Sequence, residues 1–174
     1  RRAARAAWED GTLSCDLGRA AERASATSRR VATETGLAGA GRSVVAVGLD
    51  MAAAHLGPWA DARVLIVGTG AYAGAAVSTL NALGASDVSV YSTSGRAREF
   101  AQGRGIGWVD AAGLPSALER ADLVVTCRGL GSPVLTRDMA AQAGPTVVLD
   151  LALMRDTESS VASLPNITLI DLPT

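Results

Sequence analysis

Apolar positions fall into short continuous runs separated by glycine-rich or polar breaks: Val64-Leu65-Ile66-Val67, residues 88–91, a weaker run at 106–109, Leu123-Val124-Val125-Thr126, Val147-Val148-Leu149-Asp150, and residues 167–170. Runs of this length, rich in β-branched residues, read as strands buried on both faces, as in parallel sheets. Helical signals lie between them. Residues 71–83 form an alanine-rich stretch closed by Gly84, and residues 96–102 a shorter one. Leu114-Pro115-Ser116 opens another helix with Pro near its first turn. Thr136 can cap a last short helix reaching Gln142. Strands alternating with helices predict an α/β fold, a doubly wound parallel sheet of Rossmann-like type in the strand order 3-2-1-4-5-6.

The pattern before this alternation differs. Residues 1–10 read as a helix stopped at Gly11. Ser14 is a candidate N-cap for a second helix reaching about Val31, with only a thin apolar stripe. Residues 36–41, Gly-Leu-Ala-Gly-Ala-Gly, break the pattern as a linker. Two parts are therefore expected: a helical segment over 1–42, left over from or leading out of a preceding catalytic domain, and a nucleotide-binding domain over 43–174. Ser43 can cap a helix over residues 44–56 that is apolar almost all round and so predicted to be buried against the sheet. Gly57-Pro58 ends it. His55 falls in its last turn, where the helix dipole accounts for it without a catalytic role.

The first strand runs directly into Gly68-Thr69-Gly70-Ala71-Tyr72-Ala73-Gly74. Gly68-x-Gly70-x-x-Ala73 between a strand and a helix is a dinucleotide-binding turn. Gly68 permits the tight turn, Gly70 admits a pyrophosphate to the backbone, and Ala73 keeps helix and strand close. The anion is expected on the free amides at the positive end of the helix. In such a sheet the ligand lies beyond the carboxyl ends of the strands, which also selects Ser92 to Arg96 and Thr126 to Gly131. An NAD site usually ends its second strand with a carboxylate for the ribose hydroxyls. Here that place reads Ser92-Thr93-Ser94-Gly95-Arg96. Hydroxyls and a guanidinium suit a 2′-phosphate, so NADPH is expected over NADH; an ordinary hydrophilic loop is the alternative. Thr126, Cys127 and Gly129 would lie near the pyridine end. Cys127 has no histidine to activate it and reads as packing rather than as a nucleophile. Asp150, Arg155 and Asp156 either brace the loop after the fifth strand or face the cofactor, with bracing preferred.

Composition narrows the picture further. Hydrophobic residues make up 48% of the 174 but aromatic ones only 3%, so the core must be built from Ala, Val and Leu. All 16 basic residues are Arg. Residues 1–42 carry eight Arg against five acids, and the remainder eight against twelve. So small an excess gives no nucleic-acid patch. Two cysteines without metal-ligand spacing fit a reducing cytoplasm, and one histidine cannot build a His-based metal site. No apolar run reaches membrane-spanning length. No catalytic residue and no metal ligand is assigned.

Several segments together resemble glutamyl-tRNA reductase, an NADPH enzyme family of tetrapyrrole (porphyrin) biosynthesis. They are Gly11-Thr12-Leu13 with Arg29-Arg30-Val31-Ala32-Thr33-Glu34-Thr35-Gly36, the turn through Ala73, Ala121-Asp122-Leu123-Val124-Val125-Thr126 with Gly129, Pro133-Val134-Leu135-Thr136, and Asp150-Leu151-Ala152 with Arg155-Asp156 and Leu164-Pro165-Asn166. The chain departs from that family where Ser92-Thr93-Ser94 replaces an Asn-Arg-Thr-like triplet carrying the phosphate-binding Arg, a loss that Arg96 either compensates or leaves open. The resemblance implies an oxidoreductase that reduces glutamyl-tRNA to glutamate-1-semialdehyde. It also implies that the nucleophilic Cys and a dimerising helical domain belong to other parts of a longer, homodimeric protein. The fragment itself is then expected to be inactive and mainly monomeric. Two other readings compete: a small NADP-dependent dehydrogenase of the shikimate or methylene-tetrahydrofolate type, which implies a catalytic Lys that this chain lacks, and a non-catalytic nucleotide-binding regulatory module.

Overall fold

The computed structural model describes residues 7–8, 10–34 and 44–172. The expected helix over residues 1–6, the linker at 36–41 and the Ser43 cap lie outside the described residues. The chain divides into two compact units, residues 1–42 and 43–174.

In the first unit the chain turns at Gly11, whose φ of 67° is the left-handed value that ends a helix. The Thr12 and Leu13 amides both donate to the Ala7 carbonyl at 2.9 and 3.0 Å. Ser14 then caps α1 (Cys15–Glu34), its Oγ accepting from the Leu17 amide at 3.4 Å. Leu17, on this helix, stays exposed.

The second unit holds α2 (Val44–Ala53), β1 (Arg63–Val67), α3 (Ala71–Ala82), β2 (Asp87–Tyr91), α4 (Ala97–Gln102), β3 (Gly107–Val109), α5 (Leu114–Arg120), β4 (Leu123–Thr126), α6 (Arg137–Ala141), β5 (Thr146–Asp150), a 3-10 turn at Ser159–Ser163 and β6 (Ile167–Asp171). All five strand pairings are parallel, and the order is β3-β2-β1-β4-β5-β6, as expected. Alternation splits each strand between two apolar layers. Val64, Ile66, Val90, Leu123, Val125 and Leu149 face a layer shared with α2, α3 and α4. Leu65, Val67, Val124 and Val148 face Leu114, Leu118, Ala140 and Val161 on the other side. Each such side chain, fully buried, contributes roughly 1.5–3 kcal/mol. Arg63 ties β1 to the approach of β4, its Nε and Nη2 reaching the two Asp122 oxygens at 2.9 and 2.8 Å. This pairing holds the Asp122 carboxyl below its usual range.

Two expectations are refined. α2 packs against the sheet as expected, through Val45, Gly48, Leu49 and Ala52, but Val44, Val47 and Met51 on its equally apolar outer side are exposed. A helix lying on a sheet offers it only one stripe, and residues three and seven apart line the opposite one. The helix also stops at Ala53, so His55 follows it in a tighter turn, its amide donating to the Ala52 carbonyl at 2.9 Å.

Candidate functional site

β1 lies between β2 and β4, and successive elements leave its two sides in opposite directions. That makes its carboxyl end the switch point where a crevice opens. Gly68 stands there at φ 134°, and its amide donates to the Tyr91 carbonyl at 2.9 Å. A Cβ on Gly68 would lie 3.0 Å from Cys127 Sγ and 3.3 Å from the Cys127 backbone, so only glycine fits. Gly70 is the N-cap of α3, with no side-chain cap. A Cβ on Gly70 meets nothing within 4 Å. An uncapped helix start beside open space has the form of an anion cradle. Thr69 is half-buried, Ala71 and Tyr72 are exposed, and Ala73 is fully buried against the sheet.

The loop after β2 is organised by its own hydroxyls. Ser92 Oγ and Ser94 Oγ lie 2.9 Å apart, the Gly95 amide donates to the Ser92 carbonyl, and Arg96 Nε donates to Ser94 Oγ at 2.9 Å. Arg96 is the residue just before α4. No carboxylate stands in this loop.

The loop after β4 buries what precedes it. Thr126 is fully buried, its Oγ1 without a partner among the described residues. Cys127 is tucked beneath Gly68, with Sγ 3.6 Å from the Val67 carbonyl. Burial, reinforced by the Asp156 and Asp150 carboxylates, pushes its thiol up to about 12. Such a thiol stays protonated and closed to substrate. Thr126 and Cys127 therefore offer a ligand no side chain, and the Thr126 carbonyl and Cys127 amide are already bonded to the Leu151 amide and the Val67 carbonyl, whereas Gly129, at φ 63°, is exposed.

The acids after β5 act as braces, through backbone amides more than ion pairs. Asp150 accepts from the amides of Ala152, Asp156 and Thr157 at 3.0, 2.9 and 2.9 Å. Asp156, itself fully buried, accepts from the amides of Arg128 and Gly129. Arg155 pairs outward with Asp171 at 3.0 Å. The loops after β4 and β5 are thus chained together by two carboxylates.

Arg128 is the residue that sequence reasoning misses. Its Nη1 donates to Thr93 Oγ1 at 3.3 Å and its Nη2 to the Ser132 carbonyl at 2.6 Å. Its Nε lies 3.7 Å from an Asp156 oxygen. The side chain thereby spans the carboxyl end of β1 from the β4 side to the β2 side. Only the strand order, which sets β2 and β4 on either side of β1, could have signalled it.

Residues 50–174 match the profile of the family described as shikimate / quinate 5-dehydrogenase. The chain belongs to this family. Curated relatives aligned along the whole chain are named glutamyl-tRNA reductase. The one from Kocuria rhizophila is 44% identical over 173 residues, 99% of this chain and 39% of the relative. The one from Cutibacterium acnes is 43% identical over 180 residues, 100% of this chain and 39% of the relative. The chain thus spans about two fifths of the length of these relatives. Among solved structures, the glutamyl-tRNA reductase from Methanopyrus kandleri aligns at TM-score 0.66 and 26% identity, over 98% of this chain and 46% of that one. The dipicolinate synthase A chain from Bacillus subtilis, 22% identical at TM-score 0.61 over 74% of this chain and 43% of that one, shares the fold. The resemblance first drawn from scattered segments therefore extends along the whole chain, and a nicotinamide-type dehydrogenase fold accompanies it.

Proposed function

We propose that residues 43–174 bind NADPH and form the nucleotide domain of a glutamyl-tRNA reductase, a cytoplasmic enzyme of tetrapyrrole synthesis. The observation that carries the reading is the uncapped start of α3 behind Gly70, open to the crevice at the switch point. Backbone amides there would hold the pyrophosphate. Ser92, Thr93, Ser94 and Arg96 offer donors and no carboxylate at the ribose end, which favours a 2′-phosphate. Gly68, Thr69, Ala71, Tyr72 and Ala73 shape the turn; of Thr126, Cys127 and Gly129 at the far end, only Gly129 is exposed to a ligand, the other two supporting the loop from beneath. The bound cofactor supplies a hydride; the chain's own part is to place it and shield it.

Calorimetric titration tests this. NADPH should bind more tightly than NADH, and Gly70→Val should abolish binding of both while leaving the melting temperature nearly unchanged, because its Cβ meets open space. Tighter binding of NADH would overturn the cofactor assignment.

The reduction itself needs an activated thiol that this chain does not offer, since Cys15 belongs to the other unit, with no histidine near it in sequence, and Cys127 is sealed. The fragment is therefore inactive alone, and glutamyl-tRNA belongs to the longer enzyme, which we take to be a homodimer. Glutamate-1-semialdehyde formed by this chain from charged tRNA and NADPH would refute that. Family membership over residues 50–174 favours a second reading, a dehydrogenase of the shikimate type. NADP-dependent oxidation of shikimate by the chain would decide for it, against the absence of any Lys.

A further inference from the structure

We infer that Arg128 is the residue that selects the 2′-phosphate of the cofactor, taking the place of the guanidinium absent from the Ser92-Thr93-Ser94 loop; this rests on the NADPH reading above. Three observations carry it. The first is reach. Thr93 stands two residues beyond the end of β2, in the loop where a dinucleotide fold receives the adenosine ribose. Arg128 Nη1 is already 3.3 Å from its hydroxyl. A phosphate placed beside both would offer Nη1 a shorter charge-assisted bond in place of the long one to a neutral oxygen.

The second is pre-organisation. The Arg128 side chain is only 10% exposed; its Nη2 is held by the Ser132 carbonyl, and its buried Nε, without a hydrogen-bond partner among the described residues, lies 3.7 Å from an Asp156 oxygen. A guanidinium already fixed loses little freedom on meeting an anion. Arg96, by contrast, is exposed, and its Nε is engaged by Ser94 within its own loop. The third is charge. Both Asp156 oxygens accept backbone amides, from the two donors Arg128 and Gly129, and no hydrogen bond ties them to the guanidinium 3.7 Å away, so the carboxylate is not committed to it.

The test uses the whole chain and four probes: NADPH, NADH, 2′,5′-ADP and 5′-AMP, titrated calorimetrically against the unmodified protein, Arg128→Gln and Arg96→Ala. Arg128→Gln should weaken NADPH and 2′,5′-ADP by roughly 10- to 150-fold. It should change NADH and 5′-AMP by less than about threefold, and Arg96→Ala should have the smaller effect on all four. Equal losses with both cofactors would assign Arg128 to loop positioning and overturn the inference. So would no loss, or a gain for both cofactors, which would make Arg128 an obstruction. Should Arg128→Gln fail to fold, the unmodified chain still answers. The Arg128 Nε–H resonance in an NMR titration should move with 2′,5′-ADP and stay with 5′-AMP; movement with both or neither overturns the assignment. If the unmodified chain binds NADH and 5′-AMP but shows no preference for the phosphorylated probes, the 2′-phosphate selection falls alone. If it binds no probe at all, the cofactor reading falls with it.

Discussion

At Cys127 burial and charge act in the same direction, and the consequence is measurable. The folded thiol titrates at about 12, against an ordinary value of 9.0. Between those values the unfolded chain releases a proton that the folded chain keeps, so the folded state binds more protons and stability falls as pH rises. The slope from this one group approaches roughly 1.4 kcal/mol per pH unit. Cys127→Ser should flatten it, and an unchanged slope in alkaline denaturant melts would contradict the burial argument. In the same spirit, a thiol reagent at neutral pH should label Cys15 in the folded protein and Cys127 only after unfolding, as read by mass spectrometry. The sequence already pointed this way, because it offered no base beside the thiol. What it could not supply was the close approach of Gly68, which is a fact of two loops meeting.

At the scale of elements, the loops over the carboxyl ends are held by carboxylates. Asp150 accepts three backbone amides, and replacing one oxygen by an amide group turns a donor against donors. Asp150→Asn should therefore cost roughly 3 kcal/mol of stability, read as a lowered denaturation midpoint with little change in denaturant slope. A loss within about 0.5 kcal/mol would place the bracing elsewhere. The strands and their order were legible because continuous apolar runs and glycine punctuation are local signals. The roles of Asp150 and Asp156 were only half legible. A carboxylate at a strand end looks the same in sequence whether it meets a guanidinium, a ligand or a row of amides. The packing of α2 on the sheet was legible but its exposed outer face was not, since an apolar composition does not say which stripe of a helix finds a partner.

For the whole molecule, the second unit has an exposed stripe of Val44, Val47 and Met51 on α2, and the first an exposed Leu17 on α1. Neither is wide enough to need a partner, since scattered exposed apolar side chains are ordinary. The fragment should be a monomer, and multi-angle light scattering giving a concentration-independent dimer would refute this. Arg128 escaped the sequence reading because its meaning arises only when three parallel strands stand side by side. One feature of its loop reaches beyond binding. The backbone at Arg128 and Gly129 is fastened by Asp156, not by the side chain at position 128. Apart from its bond to the Ser132 carbonyl, that side chain does not fasten the loop, so on the proposed reading a single codon change there would alter which nucleotide pool the protein draws on while most of the scaffold's ties stay in place. Selection can tune metabolic economy at one site while the fold is inherited intact.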